Sequence, residues 1–308
     1  MKCGNDGPKP HTNETLKNSI REFCSAMYDG GTNNQQDIME KIASTYGFPI
    51  DSWNVSQVTD MSELFYDQDC FNEHIESWDT SNVTNMSFMF SYAICFNQDI
   101  GQWDVSNVRN MANMFCNADK FNQNIGKWDV SNVTDMSEMF NGAFNFNQDI
   151  GQWDVSNVID MSWMLRGTEE FNQDIGSWNT SNVTAMNSMF SEACCFNQAI
   201  GQWDVSKVTN MSQMFFYVEE FNQYIGGWDV SNVKNMSGMF SYACKFNQDI
   251  GNWDVSRVEY AIEMFFHATA FNQSLRSWDL SNLVDANRMF PDGFPANLRP
   301  QTYNFDQN

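Results

Sequence analysis

Trp128–Gly151 reads WDVSNVTDMSEMFNGAFNFNQDIG, and the same phrase then begins again. Tryptophan recurs at Trp53, Trp78, Trp103, Trp128, Trp153, Trp178, Trp203, Trp228, Trp253 and Trp278, always 25 residues apart. A period of this length marks a chain built from stacked units, each unable to bury its apolar side alone. The expected fold class is therefore a repeat solenoid of about ten coils.

Positions are counted from each tryptophan. Apolar residues fall at +2, +5, +8, +11, +12, +15, +18 and +22; in the third coil these are Val105, Val108, Met111, Met114, Phe115, Ala118, Phe121 and Ile125. That spacing fits neither strict alternation nor a long amphipathic helix. It fits a chain that circles a core. Trp103, Trp128, Trp153, Met136, Phe140 and Phe146 are expected inside. A short strand is expected at Trp103–Val105 or just after it, and a helical or 3₁₀ turn at Met111–Ala118.

The polar positions repeat as well. Asn97, Asn122 and Asn147 follow the +18 Phe, Ser106 and Ser131 stand at +3, and Asp104 and Asp129 at +1. A small amide, hydroxyl or carboxylate held at one corner can bond its own turn and the coil above, so these are read as structural ladders. Glycine at +23, as in Gly126 and Gly151, calls for a positive φ or a close backbone approach.

Before the array, residues 1–12 are rich in Gly, Pro and Lys and read as a disordered lead-in. Residues 13–50 read as a helical cap: Leu16, Ile20, Phe23 and Met27 recur at helical spacing after a Thr12 or Asn13 N-cap, and Ile38, Ile42 and Tyr46 follow in a second helix. The ten coils span 51–290, and 291–308 form a C-terminal cap or tail, with Phe294, Leu298, Tyr303 or Phe305 over the last coil.

Charge limits the partners. Sixteen basic residues against 39 acidic ones give a net −23, which repels nucleic acid and anionic lipid. Basic proteins, cations and neutral glycans remain. No run of apolar residues is long enough to span a bilayer. Met1–Pro8 holds no apolar run, so no signal peptide is expected within it, which suits an intracellular protein or one whose signal has been removed. Cys70 and Cys95 share a repeat position in adjacent coils and are a possible disulfide, whereas Cys3 and Cys24 could pair at the N-terminus.

Catalytic chemistry is not expected. The three histidines, His11, His74 and His267, lie too far apart in the array to converge on a metal, and no hydrolase, zincin, phosphate-loop or dinucleotide motif is present. Binding is sought where the repeat stops repeating. Position +7 carries Asp60, Asp135, Asp160 and Tyr260, and position +10 carries Phe88, Glu138 and Trp163. Flanking inward methionines, these are expected to face solvent and form an interaction face, with Phe88 and Trp163 as anchors. The acidic pairs Glu169-Glu170 and Glu219-Glu220 mark a second variable zone.

The string FNQxIGxWDVSNVTDMSxMF at Phe121–Phe140 resembles the BspA-like leucine-rich-repeat surface proteins, and more narrowly their mycoplasma-lipoprotein and marine-protist branch. The resemblance covers about residues 15–290. It implies a leucine-rich-repeat-like stack of short parallel strands and helical turns, display at a cell surface or outside the cell, and adhesion or protein binding. It implies no catalytic residues and no cofactor. The expected function is a non-enzymatic scaffold for a protein partner; the alternatives are a self-assembling structural or coat element, or a calcium- or glycan-binding surface.

Overall fold

A computed structural model describes residues 8–28 and 35–302. The chain is a repeat protein. Two helices, α1 (Asn13–Tyr28) and α2 (Gln35–Tyr46), precede a stack of ten 25-residue coils that begin at the ten tryptophans. Cys3, Tyr303 and Phe305 lie outside the described residues.

Each coil is held by a division of its backbone amides. In the third coil, the N–H groups of Met114, Cys116 and Ala118 donate to Met111, Asn113 and Phe115, three residues back. The intervening amides of Met111, Asn113, Phe115 and Asn117 donate to Asp135, Ser137, Met139 and Asn141 of the next coil, at 2.7–3.0 Å. Alternate amides thus close the coil and bind its neighbour. Such a pattern needs left-handed residues, and Asn113 (φ 59°) and Asn117 (φ 55°) supply them.

This backbone replaces the elements expected from the sequence. Met111–Ala118 is a chain of turns, because a left-handed residue at +10 and another at +14 stop any helix. Among the described residues no strand forms, at Trp103–Val105 or elsewhere. Parallel pairing shrinks to one isolated bridge between neighbouring coils, from Asp60↔Asn85 to Tyr260↔Asp285. In eight coils the +7 carboxylate or amide takes the N–H of residue +9, as Asp135 does from Ser137 at 2.9 Å, and bends the chain out of extension, while in every coil the left-handed residue at +10 ends it.

Inside, identical side chains meet coil upon coil. The +18 rings stack 5.9–6.2 Å apart in a column that runs from Phe71 through Phe96, Phe121, Phe146, Phe171, Phe196, Phe221 and Phe246 to Phe271. Each +12 Phe lies on the +18 Phe of its own coil, as Phe140 does on Phe146 at 3.9 Å. Trp103, Trp128, Trp153 and Met136 are buried beside them. From Trp78 onwards each column indole N–H reaches the isoleucine carbonyl 28 residues earlier: Trp103 donates to Ile75, Trp128 to Ile100 and Trp153 to Ile125, each at 3.1 Å, whereas Trp53 donates to Gly47. The tryptophan is core and inter-coil bond together.

The ends solve the problem of an unpaired coil. In the array, the +6 amide donates to the previous +6 carbonyl, as Thr84 does to Thr59. Thr59 has no preceding coil, and the Asn13 side chain accepts its N–H instead, at 2.9 Å. Thr12 is the helix cap, its hydroxyl accepting from the Thr15 N–H. Leu16, Ile20, Phe23 and Cys24 of α1 and Ile42 of α2 join the core, whereas Met27 is exposed. At the other end no Phe occupies +18, but Phe294 stacks on Phe271 at 5.9 Å and extends the column by one ring. No helix among the described residues is long and apolar enough to cross a membrane.

Residues 8–12 depart from the unstructured lead-in expected there. His11 is fully buried, its ring 3.8 Å from Tyr46 and 4.8 Å from Trp53, and its backbone N–H donates to the Asn54 carbonyl. Burial pushes the imidazole pKa down to about 4, a backbone hydrogen bond at Thr15 partly opposing the shift. The unfolded side chain titrates near 6.5, so it binds the extra proton first. The stability His11 lends is complete above that value and is lost as pH falls towards 4. Acidification from pH 7 to 4 should therefore loosen the cap before the array, read as a change in hydrogen exchange confined to α1 and α2. His11→Phe, which keeps a ring between Tyr46 and Trp53, should flatten that response.

The +23 glycines keep negative φ and serve the close approach instead. A Cβ built on Gly151 would overlap the Asp174 carbonyl oxygen of the next coil, and one on Gly126 that of Asp149. Gly151→Ala should cost about 1–3 kcal/mol in chemical denaturation, since backbone is what must move.

Candidate interaction face

The arc from +7 to +14 is where the sequence varies on this regular frame. Its geometry follows from the turns. Position +10 is left-handed in every coil, including Glu63, Phe88, Glu138, Trp163, Glu263 and Arg288. A residue there stands between two inward methionines and is turned away from the core by its own backbone. Left-handed φ costs about 1–2 kcal/mol for a residue with a Cβ, so glycine and asparagine would be the easy choices. Aromatic and charged residues sit there nonetheless.

The expected face residues fall into two groups. Asp60, Asp135 and Asp160 are half-buried rather than free to contact a partner, because each closes a turn: their carboxylates accept from the N–H of Ser62, Ser137 and Ser162 at 2.8–2.9 Å. Burial opposes ionisation of Asp60, but the Ser62 hydrogen bonds and Lys17 outweigh it and hold the carboxyl below its ordinary range. Tyr260, in the same column, is exposed. At +10, Phe88 is exposed; Glu138 is half-buried and accepts from the Asn141 amide at 3.1 Å. Trp163 is half-buried beneath the Arg166 guanidinium, 5.1 Å from its ring centre, and Arg166 in turn donates to Glu192 at 2.7 Å.

Sequence reasoning missed the aromatic residues at +13 and +14, next to the variable column. Tyr66 and Tyr92 meet edge to face at 6.0 Å near one end. Phe216, Tyr217, Tyr242, Phe266 and His267 form a second cluster in the seventh to ninth coils, with Tyr217 and Tyr242 stacked at 4.1 Å. Arg288 covers Phe266 at 3.8 Å and donates to Glu263 at 2.8 Å. The signal was present: Gly142 and Gly167 at +14 and Gly238 at +10 betray left-handed positions, which project their side chains outward wherever glycine is replaced.

The polar corners make two different kinds of bond. Asn97, Asn122 and Asn147 form a true ladder, each side-chain oxygen accepting the backbone N–H of the next asparagine at 3.0–3.1 Å. Gln148 adds a bond to the Asn122 side chain at 2.9 Å. Asp104 and Asp129 instead close their own turns onto the N–H groups of Ser106 and Ser131, and the Ser106 hydroxyl bonds Asp104 within the coil. That hydroxyl bond, with the Ser106 N–H, lowers the Asp104 pKa. The link between coils at this corner comes from +4: Asn132 donates to the Ser106 carbonyl and Asn157 to that of Ser131, both at 2.8 Å.

Cys70 and Cys95, the possible disulfide pair, are free thiols in the structure. A hydrogen bond to the Asp69 carboxylate, and its charge, push the Cys70 thiol up and keep it protonated. Among the described residues, no group of three or more His, Cys, Asp or Glu is placed to hold a metal ion.

The family model described as "Mycoplasma protein of unknown function, DUF285" matches residues 32–143, 121–215 and 195–302. No curated protein matches the chain. The asparagine ladder makes a separable prediction: Asn147→Ala removes the acceptor of the Asn172 N–H and one of the two bonds of the Gln173 amide, which keeps the Asn147 carbonyl, and should cost about 0.5–1.5 kcal/mol in urea denaturation without altering the outer face.

Proposed function

The chain belongs to this mycoplasma family of unknown function, DUF285, and from that premise we propose that it is a non-enzymatic scaffold that binds another protein. Its coils are a leucine-rich-repeat-like solenoid of BspA-like type, in which single parallel bridges take the place of strands. Adhesion at a cell surface is the role that this likeness favours.

One observation carries the reading. The frame is almost invariant, yet at +10 and +14 several coils hold rings and charges in left-handed conformation, where glycine would cost less. Side chains kept at an energetic disadvantage on an outer surface are best explained by what they contact there. A repeated surface also offers each carboxylate nearly the same surroundings, which is poor ground for the paired, contrasting groups that acid–base catalysis needs.

The test is capture of partners from the native source by the intact chain, with Phe88→Ala and Trp163→Ala as face variants. A partner held by the wild type and lost from a variant of unchanged thermal stability supports the reading. Equal capture by wild type and both variants removes this face from it, and concentration-dependent sedimentation without partner capture would favour self-assembly instead.

A further inference from the structure

Because the coils repeat, the chain contains its own examples of what this face binds. In the ninth coil, Glu263 stands at +10 and Phe266 at +13, and Arg288 comes from +10 of the next coil. The guanidinium lies 3.8 Å over the Phe266 ring and 2.8 Å from the Glu263 carboxylate. In the fifth coil, Arg166 is likewise placed between the Trp163 ring and Glu192. A ring and a carboxylate together hold an arginine, the ring through its face and the carboxylate through hydrogen bonds.

The first coil presents the same seat without its arginine. Glu63 is the equivalent of Glu263, and Tyr66 of Phe266, but Phe88 stands where Arg288 would be. Among the described residues, neither Glu63 nor Tyr66 has a cationic partner. The surroundings are apolar and open: Tyr66 is 45%, Phe88 37%, Tyr92 44% and Ile94 38% exposed. Asp67 and Asp69 lie in the same stretch and are also exposed. Tyr66 and Tyr92 meet edge to face, and Phe88 and Ile94 are exposed on the same coil as Tyr92, an apolar surface of the kind that interfaces cover.

We infer that the Glu63–Tyr66–Phe88–Tyr92 patch is a docking site for an arginine-bearing segment of a basic partner protein. The inference rests on the scaffold reading and adds the chemistry of the partner. The incoming guanidinium takes the place on Tyr66 and Glu63 that Arg288 takes on Phe266 and Glu263, and Phe88, Tyr92 and Ile94 pack against the flanking apolar residues. A net charge of −23 draws such a segment towards the protein but does not choose arginine over lysine. The flat seat does, because a guanidinium stacks on a ring and forks onto a carboxylate in ways that an ammonium cannot.

Fluorescence anisotropy with labelled Gly-Arg-Gly-Arg-Gly-Arg and its lysine counterpart, titrated with the full chain at physiological salt, tests this. The arginine peptide should bind about tenfold tighter than the lysine peptide. Tyr66→Ala and Glu63→Gln should each erase most of that preference, Tyr66→Phe should retain it, and Tyr224→Ala, an exposed ring at +21, should leave it unchanged. Equal binding of the two peptides, or a preference untouched by Tyr66→Ala and Glu63→Gln, overturns the inference. Tyr66 is exposed, so unfolding is not the expected cause of a loss, and circular dichroism of each variant checks it. The two failures are distinguishable: a captured partner lost from Trp163→Ala with no arginine preference in the peptides leaves the scaffold standing and removes this seat. An arginine preference at this patch without any captured partner does the reverse.

Discussion

The structure depends on how the backbone shares its amides. A coil that spent all of them on itself would be a helix, with nothing to offer its neighbour. A coil that spent all of them outward would be a strand, and would not turn. Here alternate amides do each, and the left-handed residues at +10 and +14 are what make alternation sterically possible. The stacking of phenylalanines, the asparagine ladder and the indole bonds all presuppose the constant offset between coils that this sharing fixes. Repeat proteins gain stability from neighbour contacts, and the phenylalanine column, the asparagine ladder and the indole bonds are all of that kind.

The division explains what could be read from the sequence. Periodicity names the inward residues directly, because burial is a property of side chains: Trp128, Met136, Phe140 and Phe146 are recognisable as core without any knowledge of the backbone. Asn122 is recognisable as a ladder residue for a similar reason, since a repeated amide has few other uses. The backbone path is a different matter. Trp103–Val105 alternates like a strand, yet the bridge falls at Asn110, because an Asx turn and a left-handed residue decide where the chain can pair. Only scattered glycines at +10 and +14 record that preference.

The same gap hid the face. Reading +7 and +10 together treats them as equal neighbours of the inward methionines, but the backbone separates their fates. Asp135 at +7 is turned onto Ser137 and kept in the frame, whereas Phe88 at +10 is turned outward. The aromatic residues at +13 and +14 belong with +10 in space and not by any spacing rule. His11 is a comparable case at the end of the stack: a histidine in a Gly- and Pro-rich stretch gives no hint that two rings will enclose it. Tertiary surroundings overrode local composition there.

The indole column has an optical consequence. Trp78 and Trp103 lie 6.5 Å apart and within 2° of parallel, Trp178 and Trp203 at 6.1 Å and 5°, and Trp228 and Trp253 at 6.4 Å and 4°. Chromophores that close and that aligned do not absorb or emit as independent dyes. Excitation received by one ring of such a pair passes readily to the other, and a quencher beside either ring darkens both. The protein's intrinsic luminescence is in that sense a property of coupled rings, and it reports any change in the spacing of the coils that carry them.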